Sequence, residues 1–127
     1  TINIGVNDTW RRYDDNDPTT AENFAARFDA LLARTKAAFS HQLVLCEPFL
    51  LHVQPEMETW REDLDPKIAV IHDLAKKYDA ILVPFDQMMR EKAHEIGTLA
   101  LAEDGIHPTA TGHQVMADFW ITKVLGA

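Results

Sequence analysis

The chain has 127 residues, 46% of them hydrophobic, enough for one compact core and too few for two. Twelve basic residues stand against 20 acidic ones, and the resulting formal charge of -8 repels phosphate backbones and anionic lipid heads, so no nucleic-acid or membrane partner is expected and a neutral small molecule suits the chain better. The single cysteine, Cys46, forms no intrachain disulfide, the longest apolar runs fall far short of a bilayer span, and no signal segment opens the chain, so a cytoplasmic setting is the expectation.

Thr1–Ile4 reads as a buried strand stopping at Gly5, and opening in mid-strand without methionine reads as the continuation of a longer polypeptide. The polar stretch from Asn7 to Pro18, with Trp10, Arg11, Arg12 and Tyr13, reads as a mobile loop. Thr19 and Glu22 match a capping box before a helix whose inner face carries Phe24, Phe28, Leu31, Leu32, Thr35 and Phe39. Gln42–Cys46 is a continuous apolar run closed by Glu47-Pro48, the pattern of a strand covered on both faces. An irregular segment from Phe49 to Leu64 follows, either a wall of the cleft or a plain connector. Asp65-Pro66 predicts a helix start, with Ile68, Ile71, Ala75 and Tyr78 turned inward. Ala80–Pro84 is another buried strand, and Asp86 is a candidate cap for a helix ending near Gly97. A last helix runs from about Thr109 to Leu125, buries Val115, Met116, Phe119 and Val124, and stops at Gly126.

Alternating strands and helices with doubly covered strands argue for an α/β domain, a parallel sheet with helices on both faces. Such sheets bind ligands outside the carboxyl ends of their strands. Three segments are expected at that edge: Gly5–Tyr13, Cys46–His52 and the loop around Asp104–His107.

Asp104-Gly-Ile-His107-Pro108 carries the chemistry. A carboxylate three residues before an imidazole can accept its Nδ1 proton, fix the tautomer and leave Nε2 as a base. Asn7, just past a buried strand, can aim its side-chain amide at a developing oxyanion. Taken singly, each motif also reads as an ordinary turn, which Gly and Asn-Asp favour for backbone reasons. A metal hydrolase built on Asp104, His107 and His113 is a weaker alternative, because His113 has no ligand partner four residues away on its helix. A non-catalytic α/β binding or assembly subunit is the other, although no glycine-rich phosphate loop supports nucleotide binding.

Ile4-Gly-Val-Asn7-Asp8 resembles block III of the SGNH (GDSL-like) hydrolases, Gly-x-Asn-Asp, and Asp104-Gly-Ile-His107-Pro108 resembles block V, Asp-x-x-His-Pro. The resemblance spans residues 1–127 as the C-terminal part of a single domain. It implies a three-layer flavodoxin-like sheet of which this chain holds strands 3 to 5. It further implies a serine esterase in which His107 is the general base, Asp104 its orienting acid and Asn7 one oxyanion-hole donor, with no metal and no organic cofactor. Asn7 to Asp14 is similar to the extended block III of GDSL-type acetylxylan esterases. That similarity implies small acetyl esters, including acetylated carbohydrate, and makes Trp10, Arg11 and Tyr13 candidate substrate contacts, unless Trp10 and Tyr13 simply pack the loop down.

The blocks carrying the family's serine and oxyanion glycine are expected upstream of Thr1, so this chain by itself is expected to be inactive. Ser40, the only serine, falls between a helix and the second strand, at the wrong edge for a nucleophile. Cys46 reads as a small core residue rather than a substitute. The unpaired edge of Thr1–Ile4 is expected to be covered by the N-terminal segment of the same protein or by a second copy of the chain.

Overall fold

The computed structural model describes all residues from 1 to 127. Three short parallel strands, β1 (Ile2–Asn3), β2 (Val44–Cys46) and β3 (Ile81–Val83), form one sheet in the order β1-β2-β3. Leu45 stands opposite Ile2 and Leu82, and Cys46 opposite Asn3 and Val83. The helices are α1 (Val6–Asp14), α2 (Ala21–Ala38), α3 (Arg61–Lys77), α4 (Phe85–Ile96), α5 (Thr98–Leu101) and α6 (Ala110–Leu125), with a 3-10 segment over Pro55–Trp60.

The period-two alternation of a strand sorts the apolar side chains into two layers. Leu45, with Ile2 and Leu82, packs against Phe24, Phe28 and Leu32 of α2 and Ile71, Leu74 and Ala75 of α3. Val44, Cys46, Ile81 and Val83 point the other way, against Phe85 and Met88 of α4 and Met116, Phe119 and Trp120 of α6. The architecture is therefore three-layered α/β with helices on both faces. Leu32, Leu45 and Ile71 are fully buried, each contributing about 1.5–3 kcal/mol relative to exposure.

Several local expectations are revised by tertiary contacts. Of the stretch read as a mobile loop, Asn7 to Asp14 lies in helix α1, which Gly5 turns the chain into at φ 126°, and only residues 15–18 are irregular. Its inner side is Val6, Thr9, Trp10 and Tyr13, at helical spacing. The cap of α2 is Thr20, whose hydroxyl accepts from the amide of Asn23 at 3.1 Å, not the Thr19–Glu22 pair. Leu31 and Phe39 are exposed, because the inner stripe of α2 is the narrower Phe24, Phe28 and Leu32 and the helix ends at Ala38. Helix α3 starts at Arg61 and carries Pro66 inside it, where the ring forfeits one main-chain hydrogen bond. Asp86 does not cap α4; Glu47, arriving from β2, accepts from the amides of Asp86 and Gln87 instead. Helix α6 has the expected bounds, with Thr109 as its cap and Gly126 left-handed at its end, yet Val115, Met116, Phe119 and Val124 are only half-buried.

Candidate active site

The dyad loop runs from α5 to α6 at the carboxyl edge of the sheet. Asp104 Oδ1 accepts from the amides of Ile106 (2.9 Å) and His107 (2.7 Å), an Asx-type turn that folds the chain back on itself. Its other oxygen, Oδ2, lies 2.5 Å from His107 Nδ1. Partial burial pushes the Asp104 carboxyl up, but hydrogen bonds from the His107 ring and from the two amides outweigh it and hold the group below the usual carboxylate range. An ionised carboxylate has no proton to give, so Nδ1 must carry it and Nε2 of the neutral ring is left as an acceptor. His107 keeps 68% of its side chain exposed, over a basin shared with Glu103, Pro108 and Thr109. Proton transfer at that ring is sterically open.

The loop is fixed from behind. Gly105, at φ +83°, has its carbonyl bonded by the Leu51 amide at 2.9 Å. A Cβ there would lie 2.1 Å from the Leu51 carbonyl oxygen, so only glycine fits. On the far side of the loop, Thr109 donates its amide to Leu101 at 2.8 Å and its hydroxyl to Ala100 at 2.6 Å. Gly112, in the first turn of α6, admits the Leu101 carbonyl where a Cβ would sit.

Helix α1 comes to the same edge. The Trp10 ring meets His107 edge-on, with centroids 5.8 Å apart. Asn7 is exposed and precedes Trp10 by three residues, on the same side of α1. Arg11 lies over the Trp10 ring and pairs with Asp14 and Asp15 at 2.6 and 3.1 Å. Tyr13 stacks on Trp60 at 5.1 Å and donates its hydroxyl to the Thr59 carbonyl. Trp10 is therefore the member of the Trp10, Arg11 and Tyr13 group that touches the dyad, while Arg11 and Tyr13 are engaged in contacts of their own.

Helix α1 is docked by residues outside the sequence expectations. Lys67 is fully buried, and its Nζ pairs with Asp63 and reaches Thr9 Oγ1 at 3.4 Å. Asp63 also receives Arg12 at 3.1 Å. Burial pushes the Asp63 carboxyl up, and hydrogen bonds, from Lys67 foremost, pull it below its usual range. The signal was available, since Leu64, Lys67, Ile71 and Leu74 recur at the spacing of one buried stripe.

Cys46 is buried in the core, and that burial pushes its thiol up to about 11, away from nucleophilic chemistry. Ser40 is exposed between α2 and β2. His113 lines a different cavity, with Asn3, Pro48 and Met116, and no three His, Cys, Asp or Glu side chains converge as a metal site.

Comparison with known proteins shows the family and the fold. The acetylxylan esterase of Geobacillus stearothermophilus is 25% identical over 127 residues, covering 97% of this chain. The chain spans 57% of that relative's length. Its crystal structure superposes with a TM-score of 0.83 over 96% of the chain, again at 25% identity and 57% of its own length. A structure described as a GDSL-like lipase, from Parabacteroides merdae, gives a TM-score of 0.88 at 31% identity, covering 94% of this chain and 56% of that one. An α/β hydrolase enzyme from the metagenome of Lake Arreo gives 0.82 at 26% identity, covering 95% and 56%. The model of the GDSL-like Lipase/Acylhydrolase family matches residues 1–115. With its three-layer sheet and its Asp104–His107 loop at the sheet edge, this chain belongs to the GDSL-like lipase/acylhydrolase family.

Proposed function

We propose that this chain supplies the acid–base half of a serine esterase that hydrolyses small esters, acetyl groups on carbohydrate foremost. The observation that carries the reading is the 2.5 Å Asp104–His107 pair, with Nε2 left open beside the helix that bears Asn7. A serine outside these residues attacks the ester carbonyl while His107 Nε2 takes its proton, and Asp104 stabilises the imidazolium that forms. The Asn7 amide donates to the tetrahedral oxyanion, a preorganised dipole aimed where charge develops. The imidazolium then protonates the leaving alkoxide, and water, deprotonated by the same ring, releases the acid. By this reading Ser40 and Cys46 take no part, no metal or organic cofactor is required, and the chain by itself does not turn over.

The substrate class rests on two supports: a surface of net charge -8, which favours an uncharged ligand, and the name of the Geobacillus relative, an acetylxylan esterase. We further take the outer side of β1, which pairs only with β2, as the place where the N-terminal segment of the same protein or a second copy adds a strand. The test is hydrolysis of an acetylated xylo-oligosaccharide by the full-length protein. His107→Ala should remove most turnover and keep the far-ultraviolet circular dichroism, whereas near-normal turnover would overturn the assignment.

A further inference from the structure

Behind the dyad loop lies a buried ionic network that the proposed reaction does not touch. Glu47, 4% exposed, closes β2, and its Oε2 accepts from the amides of Asp86 and Gln87 at 3.0 and 3.4 Å. The carboxylate thereby satisfies two of the free donors at the start of α4 and fixes where that helix begins. Asp86, 5% exposed, grips the Arg61 guanidinium through both oxygens, at 2.7 and 2.8 Å. The same pair clasps a single residue of the chain after β2: Asp86 Oδ1 accepts from the Leu50 amide at 3.0 Å, and Arg61 Nη2 donates to the Leu50 carbonyl at 2.5 Å. The next residue, Leu51, donates to the Gly105 carbonyl, and its own carbonyl occupies the space a Cβ would need at Gly105. Contact is continuous from Glu47 to His107.

We propose that Arg61 and Asp86 are positioning residues for the Asp104–His107 pair. By fixing both polar groups of Leu50 they hold Leu51 against Gly105, and so set the height and orientation of the dyad loop above the sheet. A buried ion pair is an inefficient way to gain stability, because desolvation cancels much of its attraction. Its advantage is geometric: a planar guanidinium engages a carboxylate in two-point fashion and a carbonyl beside it at fixed angles, which an ammonium cannot do. The dyad needs such help. Asp104 is 49% exposed, so the pair gains little packing of its own. The catalytic importance of this role rests on the esterase reading, but the linkage itself does not.

The test is Arg61→Lys, which keeps the charge and loses the fork, read by amide hydrogen exchange and nitrogen-15 spectra of the full-length protein. Exchange at the Leu51 amide should quicken roughly tenfold or more, as for the loss of a charge-assisted support. The His107 ring resonances should lose their single ordered environment, while amides within α2 hold their protection. Leu32→Ala is the control for general destabilisation, since it removes a core side chain from the α2–α3 layer, outside the Arg61–Asp86–Leu50 network. The proposal is overturned if Arg61→Lys leaves the Leu51 amide and the His107 ring as they were. It is equally overturned if Leu32→Ala, at a matching loss of Tm, disturbs both as much. In the full-length enzyme Arg61→Lys should lower kcat with KM retained. If the loop loosens and kcat is kept, the linkage stands and its catalytic importance is what fails, while the role of the dyad itself is decided by His107→Ala.

Discussion

Replacing Gly105 by alanine perturbs the dyad loop at its tightest point, and its cost separates into two physical parts. The left-handed backbone at φ +83° costs a residue with a Cβ about 1–2 kcal/mol. The new Cβ would also lie 2.1 Å from the Leu51 carbonyl oxygen and 2.9 Å from Met57 Cε. The methionine tip can swing away, but the carbonyl is backbone and cannot. The loop must lift, and the Leu51–Gly105 hydrogen bond, worth about 1 kcal/mol, is stretched or lost. Together these come to about 2–3 kcal/mol, a large share of the roughly 5–15 kcal/mol that holds a domain folded. Gly126→Ala is the matched control: it meets the same backbone penalty at φ +70° with nothing within 4 Å of its Cβ. Urea unfolding followed by circular dichroism should place Gly105→Ala at least about 1 kcal/mol below Gly126→Ala. Equal midpoints would show that the loop is not clamped against Leu51, and the reasoning about the site's rigidity would fall with it.

Two other perturbations have definite expected outcomes. Cys46, buried and with its thiol raised to about 11, should resist iodoacetamide at pH 8 and label only as fast as the chain unfolds; rapid labelling of the native chain would contradict its place in the core. Asp63 has a folded-state pKa below the usual value of 3.8, so its contribution to stability is present above that value and is lost as pH falls through the lower, folded one. The urea midpoint of the wild type should therefore drop between about pH 5 and pH 2, and Asp63→Asn should flatten that limb while lowering the plateau. An unchanged acid limb would mean that Lys67 and Arg12 do not hold this carboxylate.

The three-layer sheet was legible because its signals are periodic and local. Val44 and Leu45 are apolar toward both layers, and α6 has its capping threonine and terminal glycine within its own residues. The misread elements are those whose partners lie far along the chain. Helix α1 looked like a loop because half of its inner side is polar. Thr9 becomes a buried residue only when Lys67 reaches it, 58 positions later. Asp65-Pro66 has the form of a helix start, yet Arg61, tied to Asp86 and Leu50, begins the helix a turn earlier. Asp86 looked like a cap for the same reason in reverse: Glu47 takes the amides and frees Asp86 to hold Arg61. The Asp104–His107 pair was legible because its hydrogen bonds close within three residues.

The most direct measurement is the tautomer of the neutral His107 ring, read from its two nitrogen-15 resonances. With Asp104 accepting at 2.5 Å, the proton should sit on Nδ1 and Nε2 should be bare, and Asp104→Ala should abolish that preference. A ring protonated at Nε2 in the wild type would leave no base facing the cleft and would contradict the account.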